Sequence, residues 1–264
     1  MDNRMTASNC LNMQYELLKD MYFDNKIENE LYFLGTSSVV DDYFWNIAYL
    51  KTEFNEEILY DLEKIFKSYS RNPSIYISPS DIDYESNKNL ILGHDYILND
   101  KDVYMELKNP NKSNIALNIK VIENEKEYND YMNVLASAYN DNIENPEENV
   151  YADAITDCYY KAIKKSIGDS VHYHILAYDN DIPVSVATLS YKDKVGGINN
   201  VGTAQGYWNK GYGKQVITYV INKFEELGGG ILTLSTEYQS KNQKFYEKLG
   251  FEAKYVMEQY MKEI

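Results

Sequence analysis

The stretch "NNVGTAQGYWNKGYGKQVITYVI", residues Asn199–Ile221, is the most informative in the chain. It opens as an apolar strand, passes through a turn that carries glycines and two lysines, and then becomes helix-periodic at Val216, Ile217, Val220 and Ile221. The first amides of a helix have no internal acceptors, and the helix dipole adds partial positive charge there. A strand, a glycine turn and a helix start therefore make a cradle for phosphate, with the glycines letting a ligand reach the backbone. The local charge agrees. From Lys194 to Phe224 there are four lysines and no acid, whereas 41 acids in 264 residues would place roughly five there. In a chain of net charge −15 this is the clearest electropositive island.

Two common phosphate motifs fail on this stretch. A P-loop requires lysine directly after its second glycine, and Tyr212 follows Gly211. A dinucleotide fingerprint requires a third glycine where Val216 stands. What the stretch resembles is the acyl-CoA turn of the GNAT N-acetyltransferases, Gln/Arg-x-x-Gly-x-Gly/Ala after a strand, which aligns with Trp208-Asn209-Lys210-Gly211-Tyr212-Gly213. Downstream, "NQKFYEKLGF" (Asn242 to Phe251) resembles the family's second signature, a helix with tyrosine just before Lys-Leu-Gly-Phe. The resemblance covers about residues 119–264 and is strong for 199–251.

The resemblance implies an α/β fold with a mixed sheet and acetyl-CoA as co-substrate. Val201, Gly202 and Thr203 would pair with the pantetheine arm, and a backbone amide would polarise the thioester carbonyl. The backbone from Trp208 to Lys214 would hold the pyrophosphate, with Lys210 and Lys214 adding charge. Gln239 and Asn242 join the cofactor-binding set, and Tyr246 would protonate the departing thiolate. Glu237, just after "ILTLS", is the candidate base for the incoming amine; an exposed loop acid is the competing reading. Tyr246 has its own rival reading as a core tyrosine, in a chain with 27 of them. The sequence departs from the family at Trp208, where arginine or glutamine is usual, and at Gln239, where asparagine is expected. The first departure keeps open a non-catalytic acyl-CoA binder or sensor, and a structural module without CoA is a further alternative.

Composition frames these motifs. With 44% hydrophobic and 14% aromatic residues the chain can bury a core. No apolar run approaches the roughly 18 residues of a membrane span. "MDNRMTASNCLNMQYELL" lacks the basic-then-apolar layout of a signal peptide. Two cysteines, Cys10 and Cys158, are too few for a disulfide framework, which together with the rest suggests the cytoplasm. Twenty-four lysines against two arginines read as the codon bias of an AT-rich, bacterial genome. The acidic balance disfavours nucleic acid as a partner and suits a cationic acceptor, a small molecule or peptide bearing an amine. Solubility alone would also account for it. His172 and His174 alternate on one strand with Cys158 on the preceding helix, yet no matching Cys or His pair exists, so no metal is expected. The acidic run "NIENPEEN" (Asn142 to Asn149) reads as a solvated loop or as the rim of an entrance for cations.

Two halves are expected, 1–118 and 119–264, joined at the asparagine-rich "KNPNKSNIALNIK" (Lys108 to Lys120). A faint repeat relates "LILGHDYILNDKDVYMELK" to "EKLGFEAKYVMEQYMKEI", each ending in Tyr-Met ten or eleven residues after a glycine. The periodic helix Glu56 to Ser68 followed by "SIYIS" copies the order found at the C-terminus. The first half is therefore expected to be a degenerate GNAT-like copy without a CoA turn, in a tandem arrangement. The point that matches the turn, "YLKTEFNEEIL", has no glycine and carries Glu53, Glu56 and Glu57.

Overall fold

In the computed structural model, which describes residues 7–19, 21–51, 53–139 and 150–263, the N-terminal half alternates short helices and strands. Its elements are α1 (Ala7–Leu18), β1 (Asn25–Glu28), β2 (Tyr32–Thr36), β3 (Ile47–Leu50), α2 (Glu56–Ser68), β4 (Ser74–Ile77), α3 (Tyr84–Gly93) and β5 (Ile97–Leu107). Then come β6 (Asn118–Val121), α4 (Glu125–Ala138), α5 (Val150–Lys165), β7 (His172–Asp179), β8 (Ile182–Lys192) and β9 (Val195–Thr203). The chain closes with α6 (Tyr212–Glu226), β10 (Ile231–Glu237), α7 (Lys241–Lys248) and β11 (Phe251–Met261). The acidic run 142–149 lies outside the described residues, as does the side chain of Cys10. No described helix is long and apolar enough to cross a membrane.

The residues form two compact units, neither of them one continuous stretch of chain. Unit 1 comprises Met1–Met105, Ser235–Tyr246 and Glu252–Ile264, and unit 2 comprises Glu106–Leu234 and Glu247–Phe251. The physical cause in unit 1 is β11. It pairs antiparallel with β4 through Glu258–Ile77, Gln259–Tyr76 and Tyr260–Ile75, so the last strand of the chain completes a sheet begun by the first half. The strand order in this unit is β1-β2-β3-β4-β11-β5. Two further links fix β11. Glu258, only 4% exposed, accepts bonds from Lys101 of β5 (2.8 Å), Tyr84 of α3 (2.7 Å) and Tyr260 (2.8 Å). Burial alone would raise its pKa, but these three donors outweigh burial and hold it at about 2.

The sequence order helix, strand, segment, strand is realised as α2-β4-α3-β5. Helix α2 forms where its periodicity places it. Asn55 caps it by accepting from the Ile58 amide (3.0 Å), Glu56 and Glu57 occupy its first turn, and Lys67 its last. Its buried face, Leu59, Leu62 and Phe66, packs on Leu34, Ala48, Ile75, Ile77 and Tyr260 of the sheet. The parallel pair β3–β4 requires such a crossover helix. On the opposite face α1 contributes Tyr15, whose ring stands 5.7 Å from Phe33 of β2.

In unit 2, β6, β7, β8 and β9 form an antiparallel meander, and β10 joins β9 in parallel. The β7–β8 hairpin turns at Asn180 (φ 49°) and Asp181 (φ 68°), as the Asp179-Asn180-Asp181 signal predicts. Helix α6 buries Val216, Ile217, Val220, Ile221 and Phe224, the stripe read from the sequence, with Leu227 only half-buried just beyond it. The stretch 108–117 is not a free linker. Asn109 and Asn111 donate backbone bonds to Gly250 (3.2 Å) and Leu249 (3.0 Å). Farther on, Ala116 and Leu117 both donate to the Gln215 side chain (2.7 and 3.1 Å), and Ser113 to Thr218 (3.1 Å). This strap explains Gly250, which has φ 98° and whose added Cβ would fall 1.8 Å from the Asn109 carbonyl.

Candidate functional site

The strand of the opening stretch carries a bulge. Thr188 of β8 faces Asn199 of β9 and Val186 faces Gly202, so three steps of β9 oppose two of β8. Asn200 takes up the extra residue at φ 53°. The parallel ladder with β10 runs only from Ile231–Val195 to Thr233–Gly197, so β9 leaves that partner before the bulge. An edge of this kind can pair with an extended amide ligand. The three expected strand residues occupy it in different ways. The Val201 carbonyl accepts from the exposed Tyr139 hydroxyl (3.3 Å). The Gly202 carbonyl accepts from Ser185 (2.8 Å), and its Cα lies against α4, where a Cβ would stand 2.7 Å from Ala138. The Thr203 carbonyl accepts from the Trp208 indole nitrogen (2.7 Å). Trp208, itself 43% exposed, thus folds back on the strand.

The turn that follows winds through Gly206 (φ 80°) and Asn209 (φ 61°) to Gly211. Gly211 is the N-cap of α6 at φ 80°, and no side chain caps the helix. By contrast Asn55 caps α2 and Asn124 caps α4. The opening amides of α6, from Tyr212 through Gly213 to Lys214, are thus left for a ligand, and the 15-residue helix directs its positive pole at them. Lys210 stands 4.7 Å from the Tyr207 ring, and Lys214 has no ion-pair partner among the described residues. The acid-free island is acid-free only along the chain. In space, the Tyr212 hydroxyl donates to Asp179 from the β7–β8 hairpin, and that bond raises the phenol's pKa. Nothing in the spacing of the sequence signals this pair.

The remaining expected residues stand in unit 1. Glu237 ends β10 and is exposed; Gln239 sits at φ 60° in the turn to α7, and Asn242 is exposed in that helix's first turn. Ser240 accepts from the Gln243 amide (3.1 Å) while the Gln243 side chain accepts from the Gln239 amide (2.6 Å), a reciprocal cap that starts α7. Tyr246 is 8% exposed, with the Phe245 ring edge-on at 5.1 Å. Beside Glu237 the structure adds an acid that the sequence reading missed. Asp102 of β5 is raised to about 7 by burial, by Asp100 and by Glu237.

His172 and His174 share a face, as the alternation on β7 requires, and belong to a buried network of hydroxyls. Ser166 Oγ donates to the Ile163 carbonyl (2.9 Å), so it accepts from His174 Nε2 at 2.8 Å. His174 Nδ1 then accepts from Thr188 Oγ1 (2.9 Å), which in turn accepts from the Tyr131 hydroxyl (2.7 Å) and Asn200 (3.3 Å). Every step works with a neutral ring, and burial together with His172 lowers the His174 pKa to about 3. Among the described residues no group of three or more His, Cys, Asp or Glu is placed to hold a metal.

A stability prediction follows from this ring. The unfolded ring titrates near 6.5 and the folded one far lower, so the unfolded chain binds the extra proton between those values. The contribution of neutral His174 is complete above pH 6.5 and is lost as pH falls toward 3, on the order of a few kcal/mol. His174→Gln should therefore be less stable than wild type at pH 7, with the gap closing as pH falls. Urea melts from pH 7 to 4 measure it, and a gap independent of pH would contradict the assigned neutral ring.

The chain is similar to known proteins in part of its sequence and in its fold. Residues 133–251 match the acetyltransferase (GNAT) family. No curated protein sequence is a significant match. Among solved structures, a functionally unknown conserved protein from Staphylococcus epidermidis aligns with 93% of this chain and 97% of its own at TM-score 0.68 and 19% identity. A GCN5-related N-acetyltransferase from Kribbella flavida aligns over 97% and 96% at TM-score 0.66 and 15% identity. A tandem GNAT protein from the clavulanic acid biosynthesis pathway aligns over 88% and 78% at TM-score 0.56 and 8% identity. At such identities these likenesses establish the fold, mixed α/β and tandem GNAT-like. Residues 133–251 of this chain therefore carry a match to the acetyltransferase (GNAT) family in the region where the strand, glycine turn and helix α6 lie.

Proposed function

We propose that the protein transfers an acetyl group from acetyl-CoA to a primary amine. The observation that carries this reading is the uncapped N-terminus of α6 behind Gly211, in the stretch whose sequence resembles the family's acyl-CoA turn. In this reading the amides of Tyr212, Gly213 and Lys214 hold the pyrophosphate, with Trp208, Asn209 and Lys210 shaping the approach. The edge of β9 at Val201–Thr203 receives the pantetheine arm once Tyr139 and Trp208 release the carbonyls they now bond. The amine nitrogen attacks the thioester carbon, the carbon–sulfur bond breaks, the amine proton leaves to Glu237 or water, and Tyr246 supplies a proton to the thiolate. Gln239 and Asn242 are assigned to the cofactor side. Residues 119–264 are read as the catalytic GNAT domain and residues 1–118 as a degenerate GNAT-like copy.

The test is release of free CoA thiol from acetyl-CoA by the purified chain, measured with a panel of small amines, amino acids and peptides. Amine-dependent release supports the transfer. Acetyl-CoA binding with no release for any acceptor favours the second reading, a non-catalytic acyl-CoA binder, for which Trp208 bonded to Thr203 in the place of the usual arginine is the specific observation.

The stoichiometry is expected to be one acetyl-CoA per chain. In the N-terminal half the matching helix start is closed, because Asn55 fills the α2 cap and Glu53, Glu56 and Glu57 surround it with negative charge. Calorimetry that returned two sites, the second lost on mutating residues 53–57, would contradict this.

A further inference from the structure

The bulge in β9 decides which carbonyls line its free edge. In an extended antiparallel strand the N–H and C=O of one residue point to one side, and those of the next residue to the other. The Tyr191 amide donates to the Val171 carbonyl (2.7 Å), on the side of β7, so the even-numbered residues of β8 face β9. Up to the bulge they meet odd-numbered partners, Ser190 opposite Gly197 and Thr188 opposite Asn199. Beyond it they meet even-numbered ones: Val186 lies opposite Gly202, and the Ala204 amide donates to the Val184 carbonyl (2.9 Å). The outer side of β9 changes in step. There the Gly196 carbonyl accepts from Thr233 of β10 (3.2 Å), whereas farther on the outer carbonyls are those of Val201 and Thr203, where Tyr139 and Trp208 reach them. Without the extra residue the Gly202 carbonyl would face outward, and those of Val201 and Thr203 would turn to β8.

A buried side chain holds the extra residue. Asn200, at φ 53°, lies in the left-handed region that asparagine tolerates but does not prefer. Its Nδ2 donates to Thr188 Oγ1 at 3.3 Å. A hydroxyl gives one proton and accepts two. Thr188 gives its proton to His174 Nδ1 (2.9 Å), because the ring's own proton sits on Nε2 and goes to Ser166 (2.8 Å). It then accepts from the Tyr131 hydroxyl (2.7 Å) and from Asn200, which fills its capacity. Thr188, His174 and Tyr131 are all buried, on β8, β7 and α4. Three elements thus fix one oxygen, and that oxygen holds the bulge. A buried polar network whose members are all satisfied specifies a single geometry.

We propose that Thr188 is a positioning residue for the free edge of β9: through Asn200 it holds the bulge that turns the Val201 and Thr203 carbonyls outward. That an acyl donor pairs with this edge rests on the acyl-transfer reading; the positioning itself does not.

The experiment compares wild type, Thr188→Val and Thr188→Ser as full chains, each first shown by urea melting to be folded. Valine keeps the shape of threonine and loses the hydroxyl, whereas serine keeps the hydroxyl. Without acetyl-CoA the readout is Trp208, whose indole N–H bonds the Thr203 carbonyl. The second tryptophan, Trp45, is buried and stacked on Tyr22, so iodide quenching reports Trp208. Thr188→Val is expected to move the emission to longer wavelength and to raise the quenching, and Thr188→Ser to match wild type. With acetyl-CoA, calorimetry should show Thr188→Val weakened about tenfold or more, the worth of one or two lost hydrogen bonds, and Thr188→Ser within about threefold of wild type. Asn200→Gly serves if Thr188→Val does not fold, because glycine accepts the left-handed backbone while lacking the side chain that Thr188 holds; it should behave as the valine variant does. Unchanged Trp208 quenching in folded Thr188→Val, or in folded Asn200→Gly, would overturn the positioning role. So would a serine variant as impaired as the valine one, or a valine variant that binds acetyl-CoA as tightly as a binding wild type. A Trp208 change in the valine variant with no acetyl-CoA bound by wild type removes the acyl-transfer reading and leaves the role of Thr188 standing.

Discussion

Gly211→Asp is expected to weaken acetyl-CoA binding by well over tenfold, while Gly211→Asn weakens it far less. The pair is chosen for the backbone. Gly211 sits at φ 80°, where most side chains strain the chain but asparagine and aspartate are tolerated. An added Cβ there meets nothing within 4 Å, so neither variant clashes. What differs is one negative charge at the helix start where pyrophosphate is proposed to lie. Two unit charges about 4 Å apart in an effective dielectric of about 20 interact by roughly 4 kcal/mol. Even a third of that is tenfold in affinity. The aspartate would also favour the free helix end, so the folded protein should be no less stable than the asparagine variant. Calorimetry with acetyl-CoA on both variants is the measurement. Equal affinities in two folded proteins would remove α6 from the binding site.

Much of unit 2 was legible because its signals are local. The α6 stripe and the Asn180-Asp181 hairpin are each decided within a few residues of sequence. Strands β1, β2 and β3 were not, and the reason is visible in their burial. Every residue of β2 and β3 is buried, so neither shows the alternation that marks a half-exposed strand. The placement of β11 against β4 was beyond reach for a different reason. The repeat likened the tail of the chain to the tail of the first half, but which sheet a strand joins is decided by partners far away in the chain, here Lys101 and Tyr84 closing on Glu258. The repeated glycine is also less alike than it reads. Gly250 carries φ 98° under the Asn109 carbonyl, whereas after α3 the left-handed position falls to Asp95 (φ 66°).

The candidate site divides along the same line. The order of strand, glycine turn and helix was readable because the three are consecutive, and so was the shared face of His172 and His174. The side-chain partners were not: Asp179 for Tyr212, Tyr139 for Val201, and the hydroxyls of Ser166 and Thr188 around His174. The Trp208 departure acquires a physical meaning only in three dimensions. Its indole N–H occupies the Thr203 carbonyl, a bond that a ligand amide on this edge would have to share or displace.

Tyr246→Phe is expected to lower turnover about a hundredfold or more on a good acceptor, the usual worth of a positioned general acid. The substitution removes one hydroxyl and almost no volume. Tyr246 is 8% exposed, packed edge-on with Phe245, so the ring contacts that hold α7 persist and the variant should fold. The competing assignment, a core tyrosine, also predicts a folded protein, so stability does not separate the two. Rate can. A proton donor acts on the leaving thiolate, which bears charge only in the transition state, so its loss should fall on kcat and leave acetyl-CoA affinity alone. The loss should also depend on the leaving group. An acyl donor whose thiol is more acidic needs less protonation, so a thioester of that kind should narrow the gap between Tyr246→Phe and wild type. A kcat within about twofold of wild type with acetyl-CoA, or an equal deficit with both donors, would return Tyr246 to the core.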